Sequence, residues 1–389
     1  MVLIFAVALL VRLVPAFILP VGAQYDIESF QRVAGTFLKG QAVYSSPVVA
    51  GRHPYLPFQL YLIGGAGTLS EVTGMPFVLS VKLAPILADA ALAVLIFQST
   101  RQLGQSMSQA LVRSLLYGLS PIAILVSAYH GQFDAETIFL LALSWYIWHF
   151  GDMSATRLFL SALLLGFAVL NKTWPLLFLP VVLLRLESLK QRTTYTLITL
   201  AVPVFFTMLY VAIFPQDLYP MLNRALTHAG VPGWWGGGAI INLFFHITGL
   251  GEGLLAGLVK YGRWLVFAGS GYVYWVTRRE SGLGALATLL VVLNVLTSGF
   301  GLQWTLWVVP FALLADDLRG LNLYTLGALF YMLPSYYGYH FDPLLLRWLL
   351  PEQVNIILLV VAVPVWVLSI QWALRRLRVQ SSLPHLGCG

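Results

Sequence analysis

Charge is what this sequence most lacks. Only 10% of its 389 residues are Asp, Glu, Lys or Arg, whereas soluble domains carry about 25%. So few charges cannot cover a soluble surface. With 59% hydrophobic residues and a mean hydropathy of +0.83, the chain reads as an all-α polytopic membrane protein. Cysteine is almost absent too: the single Cys388 excludes a disulfide framework and a thiolate metal site, and reads as inert. Acidic residues are scarcer than basic ones, 15 against 22, for a net charge of +7. In a soluble chain that excess would raise the question of nucleic acid. Here the cations cluster at the ends of apolar segments, so membrane orientation accounts for them and no nucleic-acid partner is expected. No low-complexity linker, solenoid repeat or soluble domain is visible. Residues 1–389 therefore read as one transmembrane domain.

Long apolar runs are what is present. Residues 2–20 are long enough to cross a bilayer, carry Arg12 and lack an A-x-A-like cleavage site, so they read as a retained span. A crossing takes about 20 residues, and spans are expected near 2–20, 77–98, 107–127, 136–150, 156–170, 174–187, 193–214, 258–277, 282–298, 303–315, 321–338 and 354–374. That is a bundle of about 12 transmembrane helices, several of them short for a full crossing. Alternate loops carry Arg101 with Arg113, Arg157, Arg185 with Lys190 and Arg192, Arg278 with Arg279, Arg319, and Arg375, Arg376 and Arg378. That set predicts the cytoplasmic side, with both termini inside. The opposite set holds Asp26 and Glu28, His130 to Glu136, Asn171 to Trp174, a large outer loop over 215–257, Ser298 to Gln303, and Tyr336 to Asp342. Every candidate for chemistry falls on that non-cytoplasmic face.

The first outer loop, 21–76, has structure of its own. From Asp26, the apolar residues Ile27, Phe30, Ala34, Phe37 and Leu38 recur at helical spacing up to Gly40, which predicts an amphipathic interfacial helix. A second short apolar helix is expected near Tyr55 to Leu69. Asp26 suits the N-cap of the first helix and Glu28 its first turn. A carboxylate there also suits a general base that deprotonates an attacking hydroxyl. These two roles are compatible.

The next constellation is Tyr129-His130-Gly131-Gln132-Phe133-Asp134-Ala135-Glu136. Structurally, Asp134 and Glu136 would cap the next span. Functionally, His130, Gln132, Asp134 and Glu136 make a polar rim suited to hydroxyl recognition. A divalent metal on His130, Asp134 and one outer acid is conceivable, but the spacing matches no metal signature, so no metal site is assigned. Asn171-Lys172-Thr173-Trp174-Pro175 puts a lysine in an outer turn, either snorkelling or clamping a phosphate. Arg52, His53, Arg224 and His228 are further phosphate-binding candidates. Trp234 and Trp235 sit in a Gly-rich stretch, as lid aromatics that stack on a sugar or as interfacial anchors. Within the spans, Arg12, Lys82 and Asp89 stand out, since intramembrane charges face a cavity or a partner. Antiparallel first and second spans would set Arg12 and Asp89 at similar depth as a buried ion pair.

The order and local patterns of these residues resemble the GT-C membrane glycosyltransferases, in particular the catalytic subunit of GPI mannosyltransferase I and its prokaryotic relatives. The resemblance runs over most of the chain. It rests on Asp26-Ile27-Glu28, with Glu28 where the family has a second Asp, and on Gly40 to Tyr44 and Tyr55-Leu56-Pro57. It continues through Lys82 with Asp89, Ser127 to Asp134, Lys172-Thr173-Trp174-Pro175, and Gln303-Trp304-Thr305-Leu306-Trp307. The His130-Gly131-Gln132-Phe133 turn also resembles the glucosyltransferases of N-glycan assembly. The resemblance implies a GT-C-like bundle and inverting transfer of a hexose, mannose favoured, from a polyprenyl-phosphate carrier to a lipid or glycan acceptor. Asp26 would be the base with Glu28 beside it, and Lys172 and the outer cations would stabilise the phosphate leaving group. Gln303 would join the sugar- and acceptor-binding set. It implies no cofactor beyond the lipid-linked donor. Two other classes stay open: a transporter or flippase of a lipid-linked sugar, which needs polar residues along a path through the membrane, and a non-catalytic assembly subunit.

Overall fold

A computed structural model describes residues 1–19, 21–151, 154–228, 230–340 and 351–381. Cys388 and Asp342 lie outside the described residues. The chain is helical almost throughout, and by its contacts it resolves into two compact units, residues 1–179 with 186–228, and residues 180–185 with 229–389.

The first unit holds α1 (Val2–Ile18), α2 (Gln24–Leu38), α3 (Phe58–Thr73), α4 (Phe77–Gln102) and α5 (Met107–Gly118). After α6 (Pro121–Ile124), the helix widens over Leu125–His130 and is followed by α7 (Asp134–His149) and α8 (Ala155–Asn171). A tight turn at Trp174–Phe178 leads through α9 (Leu179–Leu183), which passes into the second unit, to α10 (Leu189–Ile213) and α11 (Leu218–Thr227). Local chemistry starts these helices. Ser106 with Gln109 and Ser188 with Gln191 form reciprocal capping boxes at α5 and α10, and Ser154 caps α8. α4 packs against α1, α5 and α7, and α8 packs between α7 and α10.

The predicted amphipathic helix is α2 and the predicted second helix is α3. The apolar face of α2 is covered by protein: Phe30, Val33 and Ala34 share a buried core with Leu60, Ile63, Tyr44 and Phe133. Glycines permit the approach. A Cβ on Gly64 would lie 2.6 Å from the Phe37 ring, and one on Gly67 would lie 2.9 Å from Leu38. Asp26 is not the N-cap. α2 starts at Gln24 after Ala23, with no side-chain cap, because the backbone is pinned earlier by Ala23 N–H donating to the His130 carbonyl at 3.1 Å. Nor do Asp134 and Glu136 cap α7, whose N-terminus has no side-chain cap; both carboxylates take side-chain partners instead.

The second unit holds β1 (Val231–Pro232), α12 (Gly236–Thr248), α13 (Glu252–Val276), α14 (Gly282–Leu296), β2 (Gly299–Phe300), α15 (Val309–Leu314), α16 (Leu318–His340) and α17 (Pro351–Ser381). The two short strands pair antiparallel, Val231 with Phe300 and Pro232 with Gly299. α14 is buried from Gly282 to Asn294, which explains its unbroken apolar sequence. Arg185 closes the end of α13 by donating to the carbonyls of Thr277 at 2.8 Å and Glu280 at 2.7 Å. The expected outer loop over 215–257 is largely ordered secondary structure, α11, β1 and α12. Two of its glycines serve close packing: a Cβ on Gly238 would lie 3.2 Å from the Gly233 backbone, and one on Gly236 would lie 2.9 Å from the Trp366 indole nitrogen.

Four helical stretches are long and apolar enough to cross a membrane: Phe77–Gln102, Met107–His130, Leu189–Ile213 and Glu352–Arg378. Shorter apolar helices occur at most of the other expected spans. With the composition, these make the chain an integral membrane protein.

Inside the first unit, Arg12 Nε donates to Asp89 Oδ2 at 3.0 Å, with both side chains fully buried. Arg12 Nη1 also donates to the carbonyls of Ala8 at 2.9 Å and Gly118 at 2.7 Å, and Tyr117 donates its hydroxyl hydrogen to Asp89. One arginine thus ties α1, α4 and α5 together. Removing one partner strands the other charge away from water. Arg12→Leu or Asp89→Leu is expected to cost about 3–5 kcal/mol, and the double variant less than either single one. Unfolding in detergent checks the ordering.

Candidate functional site

Asp26 lies in the first turn of α2 and meets the turn that follows the wide helical stretch. That stretch is closed by Gly131 N–H donating to Val126 O at 3.1 Å, an i→i+5 bond. Such π-type turns re-aim side chains and are common at functional sites. Gly131 then takes φ of +84°, and a Cβ there would lie 3.0 Å from Ile27 Cδ1, so both conformation and crowding require glycine. The result is that His130 Nε2 lies 2.7 Å from Asp26 Oδ2, and Gln132 Nε2 donates to the same oxygen at 2.8 Å. The Asp26 side chain keeps 28% of its surface exposed. Its Oδ1 has no hydrogen-bond partner among the described residues.

Burial works to raise the Asp26 pKa. The hydrogen bond and charge of His130, the Gln132 bond and the Lys172 charge outweigh it, so the carboxyl is held below its ordinary value and is ionised at neutral pH.

Deeper in, Lys172 Nζ pairs with Asp134 Oδ2 at 2.7 Å, both buried. The ammonium also lies 4.5 Å from the Phe133 ring and 5.3 Å from the Tyr55 ring. Glu136 Oε2 accepts from Gln59 at 2.6 Å and Asn171 at 3.2 Å. Sequence reasoning placed Lys172 as a phosphate clamp and Asp134 and Glu136 on a polar rim. In the fold Lys172 is neutralised by Asp134, and both acids are internal. A tertiary pairing 38 residues apart in sequence leaves no local signal.

Glu28 does not join Asp26. Residues two apart on a helix point away from each other, and Glu28 instead pairs with Arg32 and with Arg52 at 3.2 Å. The Arg32 hydrogen bond, then that of Arg52, holds its pKa below the ordinary value. Arg52 also lies 4.5 Å over the Tyr25 ring, and the Arg224 guanidinium packs on the Gly51 backbone. Arg32, overlooked from sequence, belongs to this basic edge. The two histidines of the phosphate-binding set do not add charge to it. Burial pushes His53 down to about 3, and burial and the Lys172 charge hold His228 below its ordinary value despite Asp26.

Another residue overlooked from sequence is Asp217, in the Pro215–Asp217 turn. It is buried and accepts from Tyr44 N–H and Ser45 N–H, both at 2.9 Å, and from Tyr210 Oη at 2.6 Å. This clasp holds the loop that carries Arg52, His53 and Tyr55. The only sequence hint is a lone Asp after a Pro at the end of an apolar run.

Trp234, Trp235 and Gln303 belong to the second unit. Trp235 is buried, stacked on Phe300 at 3.8 Å between ring centroids, and donates to Asn294 O at 2.6 Å. It is an internal anchor, with no open face for a sugar. Gln303 is buried with its amide folded against Gly301, and Trp234 is partly exposed. Among the described residues, no three His, Cys, Asp or Glu side chains gather as a metal site would need.

No family model and no curated protein matches this chain. Among solved structures, it is similar to the archaeal oligosaccharyltransferase AglB from Archaeoglobus fulgidus, determined with an inhibitory peptide and a dolichol-phosphate. The TM-score is 0.46 at 12% identity, over 96% of this chain and 55% of that one. The chain thus spans about half the length of that protein.

Asp217 tests the clasp. Burial acts to raise its pKa, but the Ser45, Tyr210 and Tyr44 hydrogen bonds dominate and hold it below the ordinary value. A depressed carboxyl adds stability that is complete above its unfolded pKa and is lost as pH falls through the folded one, below about pH 4. Asp217→Asn is expected to cost about 1–3 kcal/mol at neutral pH and to flatten the acid-side loss. Thermal unfolding across pH checks both.

Proposed function

We propose that the chain is a GT-C-type glycosyltransferase that moves a hexose, mannose favoured, from a polyprenyl-phosphate carrier to an acceptor hydroxyl at the non-cytoplasmic face. The observation that carries this reading is the Asp26 carboxylate. One oxygen is fixed by His130 and Gln132, the other is open, and the group is ionised at neutral pH. That is the arrangement a general base needs: rigid, charged and accessible.

In this reaction the acceptor oxygen attacks the anomeric carbon from the face opposite the phosphate. The new C–O bond forms as the bond to phosphate breaks, and configuration inverts. The hydroxyl proton passes to Asp26 Oδ1, and the electron pair of the broken bond leaves on the lipid phosphate. That phosphate departs as an anion and needs nearby cations more than it needs a proton. Arg224, and the Arg32–Arg52 pair that shares the single charge of Glu28, fit the task better than Lys172, whose charge is met one-to-one by Asp134. The sequence resemblance to the GT-C enzymes supports the same roles, with Asp26 at the first acidic position of their doublet. The apolar bulk of the chain suits a membrane-resident lipid donor.

Asp26→Asn keeps the side-chain shape and removes the base. Transfer is expected to fall by about 10²–10⁴-fold, with donor binding kept within a few-fold. For the unaltered protein, the acid limb that reports Asp26 should lie below about pH 4. Radiolabelled transfer from a polyprenyl-phosphate hexose measures both. Undiminished transfer by the variant would overturn the assignment and favour an assembly or transport role.

A further inference from the structure

Lys82 lies in the second turn of α4 and is fully buried. The reaction proposed above gives it no task. A charged side chain inside an apolar span is expensive and faces a cavity or a partner. Among the described residues, Lys82 has no carboxylate partner. Asp89, two turns further along α4, is taken by Arg12 and Tyr117. The Lys82 ammonium donates instead to the Val21 carbonyl, a charge-assisted bond of the stronger kind. Val21 belongs to the short segment between α1 and α2 that delivers Asp26.

That segment is also held by the turn opposite. Ala23 N–H donates to the His130 carbonyl at 3.1 Å. A Cβ on Gly22 would lie 3.1 Å from that same oxygen and 2.6 Å from Ile27 Cγ1, so the approach is close. The stem of Lys82 reaches the turn as well: a Cβ on Gly131 would lie 3.4 Å from its Cγ and its Cε. One side chain of α4 therefore touches both parts that must meet. Its ammonium grips the segment before Asp26, and its stem packs on the turn that carries His130 and Gln132. The charges that lower the Asp26 pKa come from His130 and Lys172, and Tyr55 and His228 lie within reach of its charge. Lys82 takes hold of the backbone instead. We propose that Lys82 is a positioning residue for Asp26: by holding the Val21 carbonyl, it sets the reach of Asp26 Oδ2 to His130 and Gln132. That Asp26 is the base rests on the function proposed above.

Lys82→Met keeps the length of the side chain and removes its donor. On the full-length protein in nanodiscs, kcat for transfer from a polyprenyl-phosphate hexose should fall by about 10–100-fold, with KM kept within a few-fold. The acid limb of the rate is the readout that a purely structural role would leave in place. With the His130 and Gln132 bonds loosened, burial prevails and the Asp26 carboxyl rises, so the limb should move up by about one pH unit. In the Asp26→Asn background, Lys82→Met should cost little more, because its effect runs through a carboxylate already removed. Lys82→Leu repeats the comparison should the methionine variant not fold, and failure of both to fold overturns the proposal. Unchanged kcat and acid limb in Lys82→Met, with transfer lost in Asp26→Asn, overturns the positioning role while the base stands. So does a rise in KM alone, which would put Lys82 on the substrate, or an equal loss with and without Asp26. Undiminished transfer by Asp26→Asn removes the base itself, and the positioning role with it.

Discussion

A carboxylate taken out of water needs donors, and the first unit is organised around that need at Asp26. His130 and Gln132 supply them, and they can do so only because the chain widens by one residue before Gly131 and then turns through positive φ. The same turn offers its carbonyl to Ala23, which fixes where α2 begins. Helix start, turn shape and carboxylate anchoring are therefore a single constraint. Moving any of the three would leave a charge or a backbone group unmet in a poorly solvated place.

Charge is rationed in the same way elsewhere. Asp134 is met by Lys172, Glu28 by Arg32 and Arg52, and Asp89 by Arg12. In the second unit, Asp317 gathers Arg375, Arg376 and the Trp372 indole. Among the described residues, the buried carboxylates in particular are met by fixed partners. Asp26 differs from Glu28, Asp89 and Asp317 because both of its hydrogen bonds fall on one oxygen.

Much of the frame was legible in the sequence. Apolar runs located most helices, and helical spacing from Ile27 to Leu38 located α2, because burial leaves a periodic record along the chain. Arg12 and Asp89 could be paired from depth alone, since two charges inside apolar spans have few other options. What stayed hidden was tertiary. The spacing of Asp26 and Glu28 suggested partnership, while helix geometry sends them apart. Lys172 looked available because its partner sits 38 residues away. The Gly-rich stretch beside Trp234 and Trp235 suited a lid, since a missing side chain reads the same for freedom and for the tight packing found at Gly236 and Gly238. Asp217 was silent because its partners are uncharged: the Tyr210 hydroxyl, and the Tyr44 and Ser45 groups 173 and 172 positions away.

The reach of the Asp217 clasp bears on how the protein is made. The loop residue Tyr44 and its anchor are separated by 173 positions. Ribosomes add about 5–20 residues per second, so the loop leaves the ribosome on the order of ten seconds or more before its anchor exists. During that interval α2, α3 and α4 can assemble from local contacts, while the segment bearing Arg52, His53 and Tyr55 waits. Maturation of the site is therefore tied to late synthesis of α10 and α11. A chain halted before Asp217 would present a formed helical hairpin with its overlying loop unfastened.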